Sequence, residues 1–142
     1  MPIDIAALRS IPLLSGVSDR DLKKLAGNLR ERTYSDGETV VAEGSGGIGF
    51  FFILQGKADV SIRGEKRGTM KAGDYFGELA LLDDEAGRTA TVVASGELTT
   101  AAMTSWQFKP FVTEHPEMAW ELMRTMVKRL NASEQRNFAE AS

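Results

Sequence analysis

The sequence predicts an α+β domain, an antiparallel barrel or jelly roll of eight strands flanked by N-terminal helices and two C-terminal helices. Three observations carry this. Twelve of the 14 glycines lie between Gly37 and Gly96, all four prolines lie outside that stretch, and the apolar runs inside it are short. A proline-free, glycine-punctuated block of short apolar runs reads as closely spaced strands and turns. The flanks instead carry helical periodicity, so helices and strands are segregated rather than alternating. With 142 residues the chain fits one domain, 1–142, divided into a helical segment 1–30, a strand block 31–103 and C-terminal helices 104–138.

Ahead of the strands, Ile3–Leu14 reads as a short helix and a turn, with Ile5, Leu8, Ile11 and Leu14 as packing residues. The next helix is well marked over Ser18–Leu29. Ser18 and Asp21 have capping-box spacing, and Val17 and Leu22 are placed for a hydrophobic staple. Leu22, Leu25, Ala26 and Leu29 then recur on one helical face. Strands are expected near Glu31–Tyr34, Thr39–Ala42, Phe50–Leu54, Ala58–Arg63, Arg67–Lys71, Tyr75–Phe76, Thr89–Ala94 and Leu98–Met103. Their short connections suit antiparallel closure. Glu78–Leu82 interrupts them with an apolar, helix-compatible run.

After the strands, Ser105–Thr113 reads as a helix, and Pro116 opens a longer one, since the first helical turn has no use for the missing N–H. Ala119, Leu122, Met123, Met126 and Leu130 form its stripe, widened by Trp120 and Val127. A helix resting on one small barrel needs less apolar face than this. Either the whole stripe faces the core, or a partner helix or a ligand takes the excess.

Composition excludes several functions. The chain has no cysteine, so it holds no disulfide and no thiolate metal site, and its one histidine, His115, excludes a His–His metal centre. A jelly-roll metalloenzyme would need several histidines and a carboxylate. No base-and-nucleophile set is present, so no catalysis, no metal and no cofactor are expected. Seventeen basic and 20 acidic residues give a formal charge of −3, which argues against a nucleic-acid partner. No apolar run is long enough to span a membrane, and Met1–Ser10 lacks a signal-peptide pattern. The expectation is a cytoplasmic protein with no membrane partner.

Gly44-Ser45-Gly46-Gly47-Ile48-Gly49 satisfies a dinucleotide-binding spacing, but that chemistry needs a helix to follow. Phe50–Leu54 follows instead and reads as a strand, so the segment is a hairpin loop.

The chemically informative stretch is Ala72–Val93. A short helix starting at Gly77-Glu78-Leu79-Ala80 would present unpaired backbone N–H groups to an anion. Arg88 lies ten residues after Glu78, with Thr89 beside it, so a guanidinium fork and a hydroxyl can reach phosphate oxygens. Glu78 would repel a phosphate, yet it can accept hydrogen bonds from sugar hydroxyls. The spacing alone leaves two readings open, a nucleotide site or a simple Glu78–Arg88 ion pair across a loop.

Phe76-Gly77-Glu78-Leu79-Ala80-Leu81-Leu82 followed by Arg88-Thr89-Ala90 resembles the phosphate-binding cassette of the cyclic-nucleotide-binding domain family. Glu43-Gly44, Phe51-x-Ile53-x-x-Gly56 and Gly73-Asp74 extend the resemblance, which covers Leu13 to Leu130. It implies a β-roll between helical flanks and a cyclic nucleotide as ligand, cyclic AMP favoured over cyclic GMP. It further implies that Arg88, Thr89 and the Leu79 and Ala80 amides hold the phosphate, while Glu78 and the Gly77 backbone hold the ribose. Val60 resembles a barrel position touching the base, and equally reads as core. Ser133 resembles a hydroxyl contact to adenine by analogy with the bacterial catabolite activator's last helix, and equally reads as solvent-facing. The chain departs from the family at Gly87, where proline is frequent, and at Ser45-Gly46-Gly47-Ile48, where aspartate is common. The twelve residues after Leu130 are too few for a helix-turn-helix. The expected protein is a stand-alone regulator that signals through its C-terminal helix to a second copy or another protein. An interaction module without a ligand, and a sensor fragment of a larger regulator, are the alternatives.

Overall fold

The computed structural model describes residues 3–44, 49–77 and 90–141. The chain enters through α1 (Ile5–Arg9), a 3-10 turn at Pro12–Leu14 and α2 (Asp19–Asn28). Six strands follow: β1 (Arg30–Tyr34), β2 (Thr39–Val41), β3 (Gly49–Ile62), β4 (Glu65–Lys71), β5 (Tyr75–Phe76) and β6 (Thr91–Thr104). Helices α3 (Ser105–Glu114) and α4 (Pro116–Ala141) close the chain. All strand pairings are antiparallel, in the order β1-β6-β3-β4, with β2 added to β6 and β5 to β3.

The eight expected strands are therefore six among the described residues. Phe50–Leu54 and Ala58–Arg63 run together as β3, and Thr89–Ala94 and Leu98–Met103 run together as β6 from Thr91 onward. Gly56 and Gly96, which fall in the gaps between the expected strands, instead lie within continuous strands at φ +89° and +78°. Glycine is obligatory at position 56, where an added Cβ would lie 2.2 Å from the Glu97 carbonyl oxygen. Register shifts flank it, between Ile53 and Gln55 and again between Gln55 and Lys57. A bulge inserts a residue and reverses which face each side chain takes. Phe51 and Ile53 point to one face before it, and Ala58 and Val60 point to that same face after it.

Two cores result, one on each side of the sheet. Phe50, Phe52, Ala101 and Met103 face the helices and pack with Leu8, Leu14, Leu22, Leu25, Phe108 and Met118. Phe51, Ile53, Ala58, Val92, Ala94 and Leu98 face the other way and pack with Tyr34 and Phe76. The two-residue turn Arg63–Gly64, with φ of +54° and +79°, matches the mirror-image turns that hairpins favour.

Local signals set the helix ends. The Ser18 hydroxyl accepts from the Asp21 N–H, and Val17 and Leu22 are buried as the staple requires. The Asp21 carboxylate does not close the box; it accepts from His115 Nε2 at 3.0 Å. His115 Nδ1 faces the Phe111 carbonyl at 2.9 Å, and the ring stacks on Phe111. Both neighbours of the imidazole are acceptors, an arrangement that favours the protonated ring, which donates from both nitrogens. Burial pulls the His115 pKa down, but the Phe111 carbonyl and the Asp21 carboxylate outweigh it and the net direction is up. The hydrogen bond from His115 holds Asp21 below its ordinary value. At α3, Thr104 and Gln107 form a complete capping box.

Two outcomes test this account. Gly56→Ala should destabilise the fold by about 2–5 kcal/mol, combining left-handed backbone strain with overpacking against a carbonyl; urea unfolding measures it. The His115–Asp21 bridge should stabilise fully below the unfolded histidine value of 6.5 and fade as pH rises through the raised folded value. Asp21 contributes above 3.8 and its share is lost as pH falls through its lowered value. The stability gap between wild type and Asp21→Asn should thus narrow on the alkaline side, and a gap unchanged from about pH 6.5 to 9 would contradict the bridge.

Candidate functional site

The segment the sequence singles out hangs between β5 and β6. β5 delivers Tyr75-Phe76 against Phe52 and Phe51 of β3, and Phe51 stacks on Phe76 at 4.7 Å. Gly77 then takes φ +93°, a left-handed turn out of the strand that glycine adopts without strain. At the far end Thr91 pairs with Ser61 and Val92 with Val60. Both anchors of the segment therefore lie on β3. Glu78, Leu79, Ala80, Arg88 and Thr89 lie outside the described residues.

The other residues that carried the resemblance form the frame. The Glu43 carboxylate accepts the Arg63 N–H at 2.8 Å, and the Glu43 N–H donates to the Thr91 hydroxyl at 2.9 Å. That pair ties the loop after β2 to the end of β3 and the start of β6; Gly44 turns with φ +81°. Asp74 accepts the Lys71 N–H, while the Gly73 N–H donates to the Ile53 carbonyl and the Ile53 N–H to the Asp74 carbonyl. This turn aims the chain into β5. These spaced residues hold the entry and exit of the segment in place.

Val60 is half-buried, packs against the second core and pairs with Val92, which follows Thr89 by three positions. Its neighbour Asp59 points elsewhere, accepting from Thr69 at 3.0 Å with Lys66 at 3.3 Å, and these hydrogen bonds hold its carboxyl below the ordinary range. Ser133 lies within α4, where the backbone alone is described. Among the described residues no group of three or more His, Asp or Glu side chains could hold a metal. His115, in turn, is committed to the bridge between α2 and the α3–α4 junction.

One contact at the site had no sequence signal beyond its helical face. Arg129 of α4 donates to the Tyr75 carbonyl at 2.7 Å, and its guanidinium lies 5.5 Å from the Tyr75 ring centre. Tyr75 in turn stacks on Phe50, and Phe50 on Phe108 of α3. The strand leading into the segment is thus held by both C-terminal helices. Helical spacing places Arg129 on the Met118–Leu122 side of α4, but no pattern names a carbonyl 54 residues away as its partner.

An antiparallel sheet whose strands frame one long connection, with helices gripping its entry, defines a small α+β binding domain. The chain belongs to the cyclic nucleotide-binding domain family, which matches residues 31–115. The family is a non-catalytic one. The cAMP-dependent protein kinase regulatory subunit of Eremothecium gossypii is 45% identical over 101 residues, covering 68% of this chain and 21% of that protein. The chain thus spans about a fifth of that relative's length. Among solved structures, "cAMP bound PfPKA-R (141-441)" superposes with a TM-score of 0.85 at 28% identity, covering 94% of this chain and 46% of that one. The regulatory subunit of a cAMP-independent protein kinase A from Trypanosoma brucei gives a TM-score of 0.77 at 28% identity, covering 85% and 45%. The chain is accordingly a cyclic-nucleotide-binding regulatory domain similar to those of protein kinase A regulatory subunits.

Replacing Arg129 by Met keeps the apolar stem and removes the donors. The loss of one charged hydrogen bond at a half-exposed site should cost roughly 1 kcal/mol. Hydrogen exchange should quicken at Tyr75–Gly77 and along α4 together, and an effect confined to α4 would show that the contact does not couple them.

Proposed function

We propose that the chain binds a cyclic nucleotide, with cyclic AMP preferred, and converts occupancy into a new placement of α4. The carrying observation is the match of Phe76–Leu82 and Arg88–Ala90 to the family's cassette, on a frame whose entry turns at Gly77 with φ +93°. In this reading the sheet is the wall of a β-roll, and residues 1–142 act as one domain. Arg88 clamps the cyclic phosphate with a planar fork of donors, assisted by Thr89 and the Leu79 and Ala80 amides. Glu78 and the Gly77 backbone take the ribose hydroxyl, and the Arg88 charge offsets the carboxylate. Val60 and Ser133 lie toward the base.

Occupancy then matters to α4 because Arg129 grips the Tyr75 carbonyl, two residues before Gly77. A ligand can shift an equilibrium only by contacting its two states differently. A nucleotide that tightens the segment after Gly77 does so by fixing the carbonyl to which Arg129 donates. The output passes through α4 to a second copy or a protein partner, in the cytoplasm. Among the described residues no helix is long and apolar enough to cross a membrane.

The Trypanosoma brucei relative, named for a cAMP-independent kinase, favours a second reading. In that reading this chain keeps the fold as an interaction module, or as a fragment of a larger regulator, without this ligand. Titration calorimetry with cyclic AMP and cyclic GMP on wild type and Arg88→Ala separates the two. Removing one desolvated phosphate contact should cost on the order of 2–5 kcal/mol, which abolishes a micromolar signal. Folded wild type that binds neither nucleotide would establish the second reading. Saturating ligand should also change hydrogen exchange across Glu117–Leu130, and no change there would refute signalling through α4.

A further inference from the structure

A cleft runs between the turn from α2 into β1 and the first turn of α3. Its cavity of about 460 Å³ has Asn28, Arg30, Met103, Thr104, Trp106 and Gln107 in its lining. Ligand clefts generally measure about 300–1,000 Å³. This one lies at the Thr104 end of the β3–β6 ladder, whereas the phosphate-motif segment joins β6 at the Thr91 end.

Trp106 is the side chain in this cleft that the fold leaves without packing. Its indole is 67% exposed and has no aromatic neighbour among the described residues. Phe108, two positions on, is fully buried in a stack with Phe50. Met103 lines the same cleft from the helical core. Tryptophan, methionine and arginine are enriched where proteins meet, and tryptophan and arginine dominate the residues that carry binding energy.

The charge of the cleft is one-sided. No acidic side chain lines it, although the chain as a whole carries −3. Arg32 is paired with Glu38 and lies over Tyr34, but Arg30 has no carboxylate partner among the described residues. Glu31 belongs to the opposite face of β1, since it pairs with Ala101 where Arg30 pairs with Ala102. Lys109 is exposed three residues after Trp106, on the same side of α3. An anion on an occupant therefore meets cations only, which is the condition for complementary docking.

Two amides specify the rest of the occupant. Gln107 Oε1 accepts both the N–H and the hydroxyl of Thr104, so its amino group is left to donate. The Asn28 amino group donates to the Lys24 carbonyl, so its Oδ1 is left to accept. A peptide linkage offers one acceptor and one donor to match them. A simple anion has no use for the Asn28 oxygen.

We propose that this cleft docks an acidic peptide segment of a partner protein, with an aromatic side chain against Trp106 and Met103 and an adjoining carboxylate on Arg30. Gln107 and Asn28 take the carbonyl and N–H of the linkage between them. The domain thereby gains a protein contact on α3, at the end of the ladder away from the phosphate motif.

The chain has two tryptophans, so its indole N–H groups give two NMR signals, and Trp106→Phe assigns them. Titrating the peptide acetyl-Gly-Glu-Phe-Asp-Gly-amide into the full chain should shift the Trp106 signal saturably and leave that of Trp120 in place. The uncharged counterpart acetyl-Gly-Gln-Phe-Asn-Gly-amide should bind roughly three- to tenfold more weakly, the loss expected for one exposed charge-assisted contact. Arg30→Gln should bring the two peptides level, and because Arg30 is exposed the variant keeps its fold. A Trp106 signal that stays fixed at millimolar peptide overturns the proposal. So does an equal shift at Trp120, equal affinity for the two peptides, or an Arg30→Gln variant that still tells them apart. No nucleotide is present in these titrations, so the failure of this proposal or of nucleotide binding leaves the other standing.

Discussion

The ladder between β3 and β6 is the constraint on which the molecule depends. Gly49 pairs with Thr104 at one end and Ser61 with Thr91 at the other, so two 14-residue strands fix the length of the sheet. Every other strand is attached to one of them. At the Thr104 end the ladder hands directly into α3, whose capping box uses Thr104 itself. At the Thr91 end it receives the segment that bears the family's phosphate motif. The helical layer and the point where that segment enters β6 thus lie at opposite ends of one pair of strands.

That arrangement leaves the site's entry exposed to events in the helices through a short aromatic path. Phe50, fully buried, stacks on Phe108 of α3 at 4.3 Å and on Tyr75 of β5 at 5.4 Å. Stacked ring pairs contribute about 0.5–1.5 kcal/mol beyond their area and tolerate little misalignment. Arg129 of α4 holds the same Tyr75 from the other direction. The His115–Asp21 bridge pins the α3–α4 junction to the start of α2. Held at both its start and its Tyr75 contact, α4 has few positions available, which is the condition for a discrete response.

Much of this was legible in the chain. The Ser18 cap, the Leu22–Leu25–Ala26 face and the start at Pro116 are local properties, set by backbone hydrogen bonding and a 3.6-residue repeat. The family was legible because the motif of Phe76–Leu82 and Arg88–Ala90 is specific, and the family match covers residues 31–115. The eight expected strands are six because β3 and β6 run on through Gly56 and Gly96. A glycine with positive φ serves a turn and a bulge alike, and only the pairing partner distinguishes them.

The sequence by itself determined the class of the fold, the helix ends, the family motif at Phe76–Leu82 and Arg88–Ala90, and the surplus of apolar side chains on α4. Each follows from interactions between residues close along the chain, or from chemistry a single side chain carries. The tertiary structure alone decided that β3 reverses its facing at Gln55–Gly56, so that Phe51 and Ala58 reach the same core. It alone turned Asp21 from its own helix cap to His115, 94 residues away, and set Arg129 on the Tyr75 carbonyl. It also divided the α4 stripe into a buried and an exposed face. These are choices among partners far apart in sequence, fixed by which surfaces can be packed together at once, and no local pattern encodes them.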